Sequence, residues 1–221
     1  MQKEAFLKKS GIFLGMLYDD FASTPTLPLH SFAKEKTAAV AVDMVNGFVK
    51  EGNLSSARIL QINDNVAAFC AACIKRALPV LAFADSHATQ CPEFSDYPVH
   101  CLHNTLESEL TQELKSIPGI RRIDKNSTNG YLEPEFQRFL LENPHLDTFI
   151  VTGCCTDLCI QQFCLTLKAA FNRENRRCRV VVPIQLTATF DLPVHNSDFS
   201  AVCAYFNMRQ NGIEIINNIT L

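Results

Sequence analysis

The chain has 221 residues, 47% of them apolar and 19% charged, with a formal net charge of −3. That is enough for one α/β domain with a substantial core and too little for two comfortable ones. The composition excludes a disordered protein, and without a basic run the electrostatic footprint of a nucleic-acid binder is missing.

Residues 1–36 carry the least definite pattern and are expected to form a helix or an arm packing on the body. Within them Lys8 and Lys9 precede the run Gly11-Ile12-Phe13-Leu14-Gly15-Met16-Leu17, which has the outline of a secretion signal. The run is short, stops at Asp19-Asp20 and lacks a small-residue cleavage site, so it is taken as part of the folded chain. No stretch approaches a transmembrane span, and no membrane partner is expected. From Ala38 onward, short apolar or β-branched runs alternate with longer helical patterns. Strands are expected at 38–42, 79–84, 148–152, 180–182 and 213–216, with a short sixth at 121–124. Helices are expected at about 56–77, 106–115, 133–143, 157–172 and 196–210. This alternation implies βαβ units with right-handed crossovers, hence a three-layer α/β fold whose parallel sheet has helices on both faces. With no internal repeat or linker, residues 1–221 are expected to form a single domain.

Ten cysteines fall mainly inside apolar segments, as reduced thiols of a cytoplasmic protein would. Cys70 and Cys73 make a C-x-x-C pair, but they lie in a helical pattern with no second pair nearby, so packing is the better reading.

Ligands of open α/β sheets bind outside the carboxyl ends of the strands. The first strand ends in Asp43, followed by Asn46 and Phe48. The second ends in Asp85-Ser86-His87, with Glu93, Tyr97 and His100 in the loop beyond. The short strand ends in Lys125, and the 148–152 strand runs into Gly153-Cys154-Cys155-Thr156-Asp157-Leu158-Cys159, where a helix begins. Four strands therefore bring acid, base, nucleophile and metal-ligand types to one sheet edge. Taken singly, each has a plain alternative: Asp43 as a satisfied loop carboxylate, Lys125 as a surface charge, Cys159 as core packing. A thiol near a helix N-terminus with a lysine close by is also where a reactive thiolate forms. Asp157 is taken as a helix-start charge.

Asp85 and His87 are two residues apart, so on an extended strand end they point to one side. With Glu93 and His100 they form a mixed nitrogen and oxygen set suited to one Zn, Fe or Mn ion with positions left open; the alternative is a hydrogen-bonded His–Asp pair. Phe48 and Tyr97 could be packing, or could sandwich an aromatic substrate. His30, His103, His145 and His195 show no comparable partners and are taken as structural.

The residues from Ala38 to Ile216 resemble the nicotinamidase branch of the isochorismatase-like cysteine hydrolases. The resemblance rests on Asp43-x-x-Asn46-x-Phe48, Asp85-x-His87, Tyr97-Pro98-Val99-His100-Cys101, Lys125 and Gly153-x-x-Thr156-Asp157-x-Cys159, in the family's order. It implies a six-stranded parallel sheet of isochorismatase-like, Rossmann-like form, with Asp43, Lys125 and Cys159 as the catalytic trio. It implies a divalent metal on Asp85, His87 and His100, with Glu93 at a fourth position that varies in the family. It further implies an oxyanion hole made by the Cys155 and Cys159 amides, with a cis peptide between Cys154 and Cys155. Asn104 stands where the family usually has glycine, which asparagine can replace because it tolerates the left-handed region. No organic cofactor is expected, and assembly into a homo-oligomer is. The implied activity is hydrolysis of a small carboxamide through a thioester, with nicotinamide as leading substrate. The alternatives are another small amide, an N-carbamoyl compound, or a non-catalytic binding protein on the same fold.

Overall fold

The computed structural model describes residues 2–221. The α-helices are α1 (Lys3–Ala22), α2 (Asn46–Val49), α3 (Ala57–Lys75), α4 (Gln112–Lys115), α5 (Pro134–Glu142), α6 (Gln161–Arg173) and α7 (Ser197–Gln210). The strands are β1 (Thr26–Pro28), β2 (Thr37–Val42), β3 (Val80–Asp85), β4 (Ile120–Lys125), β5 (Thr148–Cys154), β6 (Arg179–Pro183), β7 (Thr187–Ala188), β8 (Glu214–Ile216) and β9 (Asn218–Thr220).

The six expected strands form one parallel sheet in the order β4-β3-β2-β5-β6-β8. β2 and β5 are buried along their whole length, because helices cover both faces, so neither shows the alternation of a half-exposed strand. The two-residue side-chain period sorts β2 between two cores. Ala39 and Ala41 face the layer containing Val66, Phe69 and Cys73 of α3. Ala38, Val40 and Val42 face Phe163 and Leu167 of α6 and Tyr205 and Met208 of α7. Ser56 starts α3 by accepting the Arg58 N–H at 3.3 Å, and Ala77 at φ 60° turns the chain out of its end. Cys70 and Cys73 lie buried in α3, and all ten cysteines are free thiols.

Several features differ from expectation. A seventh strand, β7, extends the sheet beyond the end of β6, pairing Thr187 with Gly153 and Ala188 with Cys154. A second sheet of two strands, β1 and β9, ties the N-terminal arm to the C-terminus. The helix expected at 106–115 is broken into a 3-10 turn, Leu106–Ser108, and the single turn α4. Its middle gives its backbone bonds elsewhere: Glu109 O accepts Asn46 N–H, Thr111 N–H donates to Met44 O, and Val45 bridges Leu110. The helix expected from 157 begins as a π turn, Thr156–Ile160, before α6 continues it. No helix among the described residues is long and apolar enough to cross a membrane.

The strand order carries the functional consequence. From β2 the chain winds outward to β3 and β4, then returns to place β5 on the other side of β2. The reversal between β2 and β5 is a topological switch point, where the crossovers part and leave a crevice at the carboxyl ends. Asp43 follows one of these strands, and the turn bearing Cys159 follows the other.

Gly153 keeps that crevice in shape. It has φ +106°, and a Cβ there would sit 2.1 Å from the Val42 carbonyl oxygen on the neighbouring strand. Backbone, not a flexible side chain, blocks the position. Gly153→Ala is therefore expected to lower the unfolding free energy by about 3 kcal/mol or more, read by urea denaturation.

Candidate active site

Asp43, one residue past β2, is held at φ 53°, a conformation uncommon outside glycine and concentrated at functional sites. Its N–H donates to Phe83 O at 3.0 Å, and its Oδ1 accepts the Asp85 N–H at 3.1 Å. Lys125 ends β4 in register with Asp85 on β3. Its Nζ lies 2.9 Å from Asp43 Oδ2, donates to Asp85 Oδ1 and to Ser127 O at 3.1 Å, and reaches Cys159 Sγ at 3.7 Å. All four side chains are buried.

Burial sets the electrostatics. It pulls Lys125 toward neutrality, but Asp43 and Asp85 hold its pKa well above the usual lysine value. Burial and then Asp85 push Asp43 up to about 7 against the pull of Lys125. Burial also raises Asp85, but Lys125 and the two histidines outweigh it and hold the carboxyl below its ordinary range. The Cys159 thiol is raised well above its usual value, again by burial first, with Lys125 pulling the other way. At Cys159 desolvation therefore outweighs Lys125, the opposite direction from the lowering that a nearby lysine and a helix start would give alone. Asp43 Oδ2 is buried against the Lys125 ammonium at 2.9 Å.

Beside this group, Asp85, His87 and His100 bring three ligand atoms within 4.8 Å of one another. Each histidine Nε2 lies 3.5 Å from a different Asp85 oxygen, and His87 Nε2 is buried with no hydrogen-bond partner. Ligand atoms bound about 2.1 Å from a shared ion lie about 3–3.5 Å apart, so the trio fits one divalent cation. The other ring nitrogens are supported from behind: His100 Nδ1 meets Pro98 O at 2.8 Å, and His87 Nδ1 faces Cys91 Sγ at 3.5 Å. Backbone bonds from His87 N–H to Cys101 O and from His103 N–H to His87 O, both 2.9 Å, fold the loop back onto the strand end. Asn104 takes φ 62°, as its replacement of a glycine requires. Glu93 stands outside the trio, with its Oε1 accepting the Thr128 N–H at 2.9 Å.

The Cys154–Cys155 peptide is cis. Cys155 O then accepts N–H bonds from Leu158 and Ile160 at 3.1 and 3.2 Å, and the second of these makes the π turn that carries Cys159. Phe48 and Tyr97 line a narrow cleft over Cys159, each edge-on to the His100 ring.

The same cleft is walled by Leu54, Leu158 and Phe190, which sequence reasoning passed over. Phe190 follows the β6–β7 end, a fifth carboxyl edge that could have been read with the other four. Two histidines taken as having no comparable partners have them: His103 Nδ1 meets Ser86 Oγ at 2.7 Å, and His195 Nε2 meets Asp157 Oδ2 at 2.7 Å. Their partners lie 17 and 38 residues away, beyond any local pattern.

Residues 37–207 match the Isochorismatase domain family. The chain is 34% identical over 173 residues to Nicotinamidase 1 of Arabidopsis thaliana, covering 71% of this chain and 70% of that protein. Among solved structures it is similar to N-carbamoylsarcosine amidase from Thermoplasma acidophilum, at TM-score 0.65 and 23% identity over 82% of this chain and 96% of that one. It is also similar to pyrazinamidase of Pyrococcus horikoshii in complex with zinc, at TM-score 0.68 and 18% identity over 82% and 99% of the two chains.

The ligand geometry separates Glu93 from the other three. One divalent ion per chain is expected in protein purified without chelator. His87→Ala or His100→Ala should lose it in elemental analysis. Glu93→Gln should keep it, with affinity at most about a hundredfold below the wild type, as for a residue outside the ligand set.

Proposed function

The chain belongs to the isochorismatase family and is a nicotinamidase-like amidohydrolase, and we propose that its substrate is nicotinamide, hydrolysed to nicotinate and ammonia through a thioester on Cys159. The observation that carries this reading is the Lys125 ammonium, buried within reach of Asp43, Asp85 and Cys159, the last two of which line an aromatic-walled cleft.

Asp43 takes the thiol proton as Cys159 Sγ bonds to the amide carbon. Lys125, next to both, balances the negative charge that passes from carboxylate to sulfur. The proton on Asp43 then goes to the departing nitrogen, which leaves as ammonia, and the acyl group stays on sulfur. Water adds to the thioester as Asp43 removes a proton from it, and the acid departs as Cys159 regains its proton. One water is consumed, and one acid and one ammonia are formed. The Cys155 and Cys159 amides serve as the oxyanion donors in this scheme, both residues lying along the cleft. A divalent ion on Asp85, His87 and His100 supplies a Lewis-acidic anchor for a ring nitrogen when bound. Phe48 and Tyr97 offer faces or edges to the flat ring.

Ammonia release across a panel of nicotinamide, small aliphatic amides and N-carbamoyl compounds tests the proposal. Nicotinamide is expected to give the highest kcat/KM. Cys159→Ala, Asp43→Asn and Lys125→Met should each lower kcat by at least about a thousandfold, with losses that do not add when combined. Preference for an N-carbamoyl compound would replace the substrate, and binding without ammonia release would replace hydrolysis.

A further inference from the structure

One wall of the cleft comes from a part of the chain that carries none of the family's motifs. After β7 the chain passes through residues 189–196 before α7 begins, and Phe190 of this strap lines the cleft together with Phe48 and Tyr97. We propose that Phe190 is the specificity-determining outer wall for a flat heteroaromatic ring, and that the His195–Asp157 pair is the positioning device that holds it there. The inference rests on the amide-binding reading of the cleft given above.

The strap is tied to the catalytic turn at both its start and its end. β7 pairs with Gly153 and Cys154, so residue 190 begins two positions from the end of β5's own ladder. Near its end, the His195 ring stacks on the Phe190 ring, with centroids 4.0 Å apart and planes 23° apart. Its Nδ1 faces Phe190 O at 3.0 Å, and its Nε2 faces Asp157 Oδ2 at 2.7 Å. Both edges of the imidazole are thus fixed, one to the strap and one to the π turn two residues before Cys159. The other Asp157 oxygen is buried without a partner, so among the described residues His195 is the side chain this carboxyl answers to.

The remaining bonds close the strap without filling the cleft. Leu192 and His195 exchange backbone hydrogen bonds at 3.0 and 2.9 Å, Asp191 Oδ1 accepts the Ser197 N–H at 3.1 Å, and Asn196 caps α7. Leu192 and Val194 are exposed. Phe190 is therefore the strap's contribution to the cleft, and its own support is a ring stacked behind it. An aromatic substrate gains a third ring contact there; a short aliphatic amide gains little.

The test uses full-length, zinc-loaded Cys159→Ala protein, which binds without turnover, with titration calorimetry of nicotinamide and propionamide. Phe190→Ala should weaken nicotinamide about tenfold and propionamide less than twofold, while Phe190→Tyr, which keeps the ring, should hold nicotinamide within twofold. His195→Gln should weaken nicotinamide three- to fivefold in the presence of Phe190 and add nothing once Phe190 is alanine. Because residue 190 is half-exposed, these variants are expected to fold, and Phe190→Leu gives a second measure with bulk retained and the ring removed. Equal losses on both amides, additive losses at 190 and 195, or a tyrosine as poor as alanine would overturn the wall. Failure of the Cys159→Ala protein to bind nicotinamide would overturn it as well. If the wild-type chain binds nicotinamide with this pattern but releases no ammonia, the hydrolytic reading falls and the wall stands.

Discussion

A lysine ammonium with no access to water is the constraint from which the rest of this site follows. Burying one such charge costs several kcal/mol unless opposite charge and hydrogen bonds surround it. Lys125 has two carboxylates and a carbonyl, and the three come from places the sheet alone can bring together: the end of β2, the end of β3, and the residues just past β4. The acceptors in turn are fixed by backbone. Asp43 receives the Asp85 N–H, and Asp85 lies in register with Lys125 itself. Removing the cation would leave two buried carboxylates facing one another, so the lysine is as much a structural counter-ion as a chemical one.

The same cation couples the two halves of the chemistry. Asp85 gives one oxygen to Lys125 and one to His100, and so belongs both to the trio that could hold a metal ion and to the surroundings of Lys125 and Cys159. Burial raises the thiol and the Asp43 carboxyl together. An exposed triad of the same residues would have ordinary values and weaker mutual fields.

The sheet, its parallel sense and the edge on which function sits were legible in the sequence because fully buried strands leave apolar runs that helices cannot mimic in so short a span. Asp43 and Asp85 were found for the same reason, each standing where such a run stops, whereas Lys125 ends a charged and mostly half-buried strand, Ile120–Lys125. Strand order was not legible, since it depends on which crossover packs on which face. The broken segment 106–111 was not legible either, because its backbone bonds go to Met44, Val45 and Asn46, some sixty residues earlier. His195 and Asp157 are the sharpest case. Nothing near either residue announces a partner 38 positions away, and only the return of β7 to the end of β5 brings the strap into range.

That return also explains why the turn bearing Cys159 can be both irregular and fixed. A π turn has a looser ladder than an α-helix and by itself would be a place for the chain to yield. Here Cys155 O takes two N–H bonds, Cys154 Sγ donates to Asp43 O at 3.2 Å, β7 pairs with Cys154 along one side, and His195 grips Asp157 from above. Gly153 lets the strand come against Val42 closely enough for these contacts to form at all. The turn that carries Cys159 is thus held from four directions. Its geometry can stay unusual without being mobile, which is the condition a preorganised site has to meet.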